Sequence, residues 1–197
     1  MRFLTFIASI LFLMDDAYGA ISVGLSGSTS QSSYSLETQK SSVVSANVSV
    51  AITRFLRIGL THRRSFLEKS GLKKTQSEDQ TQTIYFEFED NTDVVSNSID
   101  LTVVLYPGQI SPFVFGGVAR RDYYTEVRYP FSESKGQTTL PAVPNYGVGF
   151  AVQLNRNFSL KITHTFTPGI STTLEDGEEI TESVNDTYTQ LGISYRI

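Results

Sequence analysis

The 197-residue sequence contains no cysteine and no tryptophan. The lack of cysteine excludes a disulfide scaffold, a thiolate metal site, a cysteine nucleophile and a lipid-modified N-terminal cysteine. After residue 19, apolar residues never run for 18 consecutive positions, so no membrane-spanning helix is predicted. A formal net charge of −4 gives no reason to expect nucleic acid as a partner. Zinc-site spacing, an EF-hand loop and a phosphate-binding glycine loop are also missing, so we expect no metal and no cofactor.

The N-terminal segment has the pattern of a secretory signal. Arg2 precedes an apolar run over residues 3–14, and small residues surround position 19. This run is too short to span a membrane, and it has no polar stripe that would make it an amphipathic helix. We predict a signal peptide at 1–19 and a mature domain at 20–197. Removing one cation and two anions with the signal changes the formal charge from −4 to −3.

The mature chain alternates apolar and polar residues with period two. In residues 44–52, for example, valine, alanine and isoleucine alternate with serine and asparagine, and residues 146–154 alternate in the same way. Such alternation predicts β-strands with one apolar face. About eight strands are counted, many longer than the usual five or six residues.

The predicted connections alternate between tight turns and long polar segments. Long loops are predicted in the ranges rich in serine, threonine and charged residues, at about 32–40, 68–93, 129–142 and 171–186. Residues 83–89 (TIYFEFE) also alternate, but a ninth membrane strand would prevent closure with an even strand number. We interpret this segment as a β extension above the barrel. The pattern predicts an all-β, eight-stranded, antiparallel, up-and-down barrel.

The character of the polar face distinguishes a membrane barrel from a soluble lipocalin-type barrel. A soluble exterior should carry lysine and glutamate, but this face is mostly glycine, serine, threonine, asparagine and glutamine, which fit a narrow lumen. Aromatic residues gather at both ends of the predicted strands, as at membrane interfaces. The two groups are Phe55, Tyr106, Phe113, Phe158 and Tyr195 near the short turns, and Phe66, Tyr123, Tyr124, Tyr146, Phe166 and Tyr188 near the long loops.

Three stretches together carry a family resemblance: residues 111–124 (SPFVFGGVARRDYY), 146–166 (YGVGFAVQLNRNFSLKITHTF) and the closing strand 191–197 (LGISYRI). The pattern over residues 20–197 resembles the small outer-membrane β-barrel family that includes the OmpA transmembrane domain and OmpX. The resemblance implies a transmembrane barrel in a Gram-negative-type outer membrane, with both termini periplasmic. It also implies assembly by the barrel-assembly machinery, although family members usually end in phenylalanine and this chain ends in Ile197.

Charged residues on the predicted lumen face suggest an internal polar network. Its members are Arg57, Arg63, Asp100, Lys161 and Arg196, and Asp122 joins them if the fifth strand faces that way. An unpaired buried charge is costly, so a salt-bridge network or trapped water is expected. The main interpretation is a structural plug, and the alternative is a narrow pore lined by cations.

On the outer surface, Arg64, Arg120 and Arg121 are predicted near the upper strand ends. There they either contact lipopolysaccharide phosphates, or lie at the interface or pair with loop carboxylates. His62 and His164 lie on the predicted lipid face. Residues 162–169 faintly resemble a lipid A deacylase motif, but Phe166 occupies the position of the nucleophilic serine. We therefore expect no catalytic residue and no enzyme.

The resemblance implies a non-enzymatic role in envelope structure, with surface loops for adhesion or for binding an extracellular ligand or a host or prey surface. Outer-membrane lipid and lipopolysaccharide are the expected surroundings. A pore for small solutes or ions is the alternative, and a lipid A-modifying enzyme is the least favoured hypothesis.

Overall fold

A computed structural model describes residues 20–34, 36–76, 83–130, 132–175 and 178–197. The predicted signal peptide lies outside these residues. The described chain forms eight strands: β1 (Ile21–Tyr34), β2 (Glu37–Ala51), β3 (Leu56–Gln76), β4 (Thr83–Val104), β5 (Ile110–Tyr129), β6 (Ser132–Gln153), β7 (Phe158–Glu175) and β8 (Glu178–Arg196). No helix in the described ranges is long and apolar enough to cross a membrane.

The strands form a closed barrel in which each strand pairs antiparallel with its neighbour along the chain. The ring closes where β1 pairs with β8, from Ser22 opposite Arg196 to Gly27 opposite Leu191. This seam has six residue pairs, whereas β3 and β4 pair at 21 positions. The prediction of an eight-stranded up-and-down antiparallel barrel is confirmed.

The barrel is apolar outside and polar inside. Leu25, Leu60 and Ile99 expose 65%, 59% and 62% of their surface on the outer wall. The inward positions beside them are small and polar, as at the buried Ser45 and Ser98. Because strand side chains alternate between faces, one register places the whole apolar set outside.

Three aromatic residues predicted at the barrel ends lie inside instead. Phe113 and Tyr123 are buried, and Tyr188 shares the inward parity of the buried Gln190. Phe113 is opposite Gly149 on the neighbouring strand, and the ring fills the space that the glycine leaves free. The sequence contrast along β5 is weak because bulky residues occupy both faces of that strand.

Most residues in the predicted long loops belong to strands. The β3–β4 hairpin continues without a break from its barrel part to the pairing of Gln76 with Thr83. The 83–89 segment therefore is a β extension, but one continuous with β4. The extension can carry polar side chains on both faces, because both faces of a projecting hairpin contact water.

Beyond the closed part, the wall separates into two pieces. Pairing of β6 with β7 stops at Tyr146 opposite Phe166, and pairing of β1 with β8 stops at Gly27 opposite Leu191. Above these points, β1 to β6 form one sheet and β7 and β8 form a separate hairpin. We call this upper part the rim.

Replacing Gly149 by valine should destabilise the barrel by about 1–3 kcal/mol, a typical cost of overpacking. A Cβ atom there would overlap the Phe113 ring and lie 2.6 Å from the carbonyl oxygen of Ile162. Gly116 is the matched control, because a Cβ atom added to it meets nothing within 4 Å. Equilibrium urea unfolding in detergent micelles measures both variants. Equal stability of Gly149→Val and Gly116→Val would contradict the proposed packing.

Candidate functional site

The interior contains a cavity of about 180 Å³. It begins near the short turns, where Gly108 and Arg156 form part of its wall, and reaches Arg63, Thr165 and Gln190. Serine, threonine, glycine and glutamine supply most of the remaining wall. Small polar residues and glycine therefore outnumber the apolar lining residues, among which are Phe113 and Phe115. Alternation along the strands places most of these residues inside.

The cavity wall contains all five residues of the predicted lumen network: Arg57, Arg63, Asp100, Lys161 and Arg196. The structure also adds Arg156, which lies in the β6–β7 turn and shows no strand pattern. None of these cations forms an ion pair within 4 Å in the described part of the chain. The expected salt-bridge network is thus not formed by these five residues.

Neutral donors satisfy Asp100 instead. Its Oδ2 atom accepts hydrogen bonds from Ser98 at 2.7 Å and Thr61 at 2.9 Å, and its Oδ1 atom accepts one from Asn145 at 2.7 Å. Asn145 in turn accepts a hydrogen bond from Thr167. Together these bonds connect β3, β4, β6 and β7 across the lumen. They satisfy a carboxylate that is only 6% exposed.

The main buried ion pair involves Arg121, which is 1% exposed. One guanidinium nitrogen is 2.5 Å from a carboxylate oxygen of Asp186 and donates to the Tyr188 hydroxyl at 3.0 Å. A second guanidinium nitrogen, Nη1, donates to the carbonyl oxygen of Pro168 at 3.2 Å. Arg121 therefore ties β5 to β7 and β8 immediately above the cavity.

Further contacts of this kind cross the lumen at this level. Arg63 donates weakly to Thr165 at 3.5 Å and lies over the Tyr188 ring, while Gln190 donates to Ser45 at 2.5 Å. Four side chains in the layer are less than 2% exposed: Arg121, Asn145, Thr165 and Thr167. We call this set of contacts the sealing layer. It belongs to no single sequence motif, because six or more strands contribute to it.

The predicted exterior arginines divide between the two faces. Arg64 lies outside, where its guanidinium group donates to both carboxylate oxygens of Asp93 and covers the Phe66 ring. Arg120 also lies outside, 3.4 Å from Asp122. The prediction of an exterior contact is wrong for Arg121. Consecutive strand residues point to opposite faces, so Arg120 and Arg121 cannot share one.

Asp122 lies with Arg120 on the outer face, where Thr139 donates to it at 2.7 Å, so it is not part of the lumen network.

Both histidines also lie outside. His62 is 2.8 Å from the side-chain oxygen of Asn97, and His164 is 2.7 Å from the Thr189 hydroxyl. In the described ranges, neither histidine contacts a carboxylate, and no three potential metal ligands cluster.

Comparisons with solved structures agree with this architecture. The N-terminal β-barrel domain of Pseudomonas aeruginosa OprF matches with a TM-score of 0.54 at 12% identity, over 92% of this chain and 100% of that one. The outer membrane protease OmpT from Escherichia coli matches with 0.52 at 10% identity, over 90% and 79%. Neisserial surface protein A matches with 0.49 at 14% identity, over 91% and 99%.

Searches at the level of sequence find no matching family model and no matching curated protein. At the identities of the structural matches, the likeness concerns the fold. The expected resemblance to small outer-membrane β-barrels is confirmed at that level.

Replacing Arg121 by methionine should cost about 3 kcal/mol of unfolding free energy, because Asp186 and the Tyr188 hydroxyl lose a buried partner. Arg120→Met is the matched control. Arg120 is exposed, and exposed ion pairs contribute at most about 1 kcal/mol. Denaturant unfolding in micelles compares the two neighbours. A cost for Arg121→Met no larger than that of Arg120→Met would contradict the structural role of the sealing layer.

Proposed function

We propose that this protein is an integral, non-enzymatic β-barrel of a Gram-negative-type outer membrane, with a rim that binds partners outside the cell. The observation that supports this proposal most is the distribution of polarity, which is the reverse of that in a soluble protein. Large apolar side chains lie outside the barrel, and small polar side chains lie inside. The fold shared with the OprF barrel domain supports the proposal.

The outer wall is poorly suited to water. Soluble proteins rarely expose continuous apolar patches above a few hundred Å², yet exposed apolar residues occur on every strand of this barrel. Stacked rings such as Tyr146 on Phe166 and the tilted pair of Phe158 and Tyr195 lie at opposite ends of the wall. Amphipathic rings at two levels favour a bilayer between them.

Orientation follows from the unequal ends of the barrel. The short turns and both ends of the mature chain lie at one end, and the polar rim lies at the other. We assign the short-turn end to the periplasm and the rim to the outside, as the family resemblance implies. Folding in this orientation needs the barrel-assembly machinery.

The outer arginines fit a lipopolysaccharide leaflet. Arg64 and Arg120 are outward and more than half exposed at their side chains. Each is paired with one carboxylate, so a phosphate group could replace or share that partner through charge-assisted hydrogen bonds. We include these two residues, but not Arg121, in the proposed contact with lipopolysaccharide.

The rim carries exposed apolar side chains beyond this charged level. Leu36, Leu72 and Tyr85 are 49%, 39% and 53% exposed, and strand pairing places them on the same outward face. A polar pair, Lys40 with Glu68, separates them from the apolar wall. We call these three residues the tip patch. Exposed apolar residues away from the bilayer favour contact with another protein surface.

Elsewhere the rim is charged. Lys135 contacts both Glu126 and Glu133, and its hydrogen bond to Glu133 lowers the pKa of that carboxyl group. On the inner face of the rim, burial raises the pKa of Asp90. These charges keep the projecting hairpins soluble around the tip patch.

The sealing layer argues against the pore alternative, because buried side chains cross the lumen above the cavity. The histidine environments argue against a lipid A-modifying enzyme, since a catalytic triad requires an acid to orient the base. The likeness to the protease OmpT concerns the fold alone, and one fold hosts many functions.

Cysteine labelling tests the proposed orientation, because the chain has no cysteine of its own. In intact cells, a membrane-impermeant maleimide should label Ser134→Cys on the rim. Gln109→Cys at the short-turn end should react only after permeabilisation. The reverse pattern would overturn the orientation, and recovery of the protein without detergent would overturn membrane insertion.

The tip patch is tested by adherence of cells that display the protein. The double variant Leu72→Ser and Tyr85→Ser should lower adherence to a cultured cell monolayer without changing barrel stability, because both side chains are exposed. Leu105→Ser with Tyr106→Ser is the matched control at the short-turn end. Surface amounts are equalised by antibody labelling. Equal adherence of both variants and the wild type would contradict binding through the tip patch.

A further inference from the structure

The cavity below the sealing layer concentrates positive charge. Five cationic side chains line it, and Asp100 is the only carboxylate-bearing residue among its lining residues in the described part of the chain. Arg57 lies close enough to both Lys161 and Arg196 for their charges to repel. Such a group is unfavourable unless an anion or water compensates it.

The protein itself supplies little compensation. Asp100 is already satisfied by three neutral donors, so it has little acceptor capacity left for a cation. Within the described ranges, the side chains of Arg57, Lys161 and Arg196 have neither a hydrogen bond nor an ion pair to the protein. At the inner end, the buried Nε atom of Arg63 also has no protein acceptor.

Access is possible from one side. The cavity wall includes Gly108 and Arg156, which are exposed in the short turns, whereas the sealing layer covers the other end. The cavity is thus a blind pocket that opens where the chain turns. Its hydroxyl-rich wall offers further donors to an oxyanion, from residues such as Ser49, Ser159 and Thr163.

We propose that this pocket is an anion site that takes a small tetrahedral oxyanion, phosphate or sulfate, through Arg57 and Lys161, with Arg196 and Arg63 adding positive charge. Arginine and lysine with nearby hydroxyl groups are the donors that such anions prefer. The low-dielectric barrel wall strengthens the attraction. The site does not depend on the rim. The proposed orientation matters only for its access, which is then from the periplasm.

Phosphate reaches such a pocket either as the free ion or as the end group of a larger phosphomonoester. A pocket of about 180 Å³ suits the free ion. Purified protein in detergent micelles is titrated with inorganic phosphate, with glycerol phosphate and with chloride at constant ionic strength, and heat released on binding is recorded. We expect saturable binding of phosphate and none of chloride. Tighter binding of glycerol phosphate than of phosphate would identify a phosphomonoester as the source, and tighter binding of phosphate would identify the free ion.

Lys161→Met should weaken phosphate binding about tenfold or more, as loss of one charge-assisted hydrogen bond requires. Lys40→Met is the matched control, since Lys40 lies outside and is paired with Glu68. Saturable binding that survives Lys161→Met unchanged would overturn the assignment of the site, and phosphate binding no stronger than chloride would overturn the proposal itself.

A second measurement uses the unaltered protein and so does not depend on the folding of a variant. A small water-soluble acylating reagent modifies lysine amines, and mass spectrometry gives the rate at each position. Phosphate should protect Lys161 and leave the rate at Lys40 unchanged. Equal rates at Lys161 with and without phosphate would also overturn the proposal. Neither the binding titration nor the acylation rate depends on membrane insertion or adherence. A failure of the anion-site proposal is therefore distinguishable from a failure of the proposed function.

Discussion

Backbone hydrogen bonding is the constraint on which the rest of this structure depends. A strand that contacts hydrocarbon has no water to satisfy its amide and carbonyl groups, so each must find a partner within the protein. Eight strands meet this demand by pairing in sequence and closing β1 against β8. The outer surface is then free to be mainly apolar, and most polar side chains lie in the narrow interior or on the rim.

The charged groups of the interior have two different kinds of surroundings. At the level of the sealing layer, charges are paired or hydrogen-bonded: Asp100 receives three donors, and Arg121 contacts Asp186, Tyr188 and Pro168. Below it, Arg57, Lys161 and Arg196 line a cavity and have no side-chain acceptor among the residues that the structure describes. The first arrangement fixes the relative positions of the strands. The second leaves capacity for a ligand, so structure and binding occupy separate levels of one lumen.

Much of the fold could be predicted from the sequence because period-two alternation is a direct consequence of strand geometry. The same rule placed Arg57, Asp100 and Lys161 inside. It failed for rim segments such as 129–142, since a hairpin with water on both faces needs no alternation to pair. Long polar strands therefore resemble loops in sequence. For Arg121 the rule does not decide the face, because bulky residues on both faces of β5 leave the alternation weak. The partner Asp186 could not be found from sequence, as it depends on which strands meet across the lumen.

The short β1–β8 seam is the strand pairing at which the barrel should open most easily. Six residue pairs hold it, compared with eight between β6 and β7 and 21 between β3 and β4. A sheet rolled from these strands would join its two free edges as the final step and part there first under tension. Gly24 and Gly27 of β1 and Gly192 of β8 lie in this seam. The unequal lengths of the strand pairings thus indicate an order in which the barrel closes during folding and opens during unfolding.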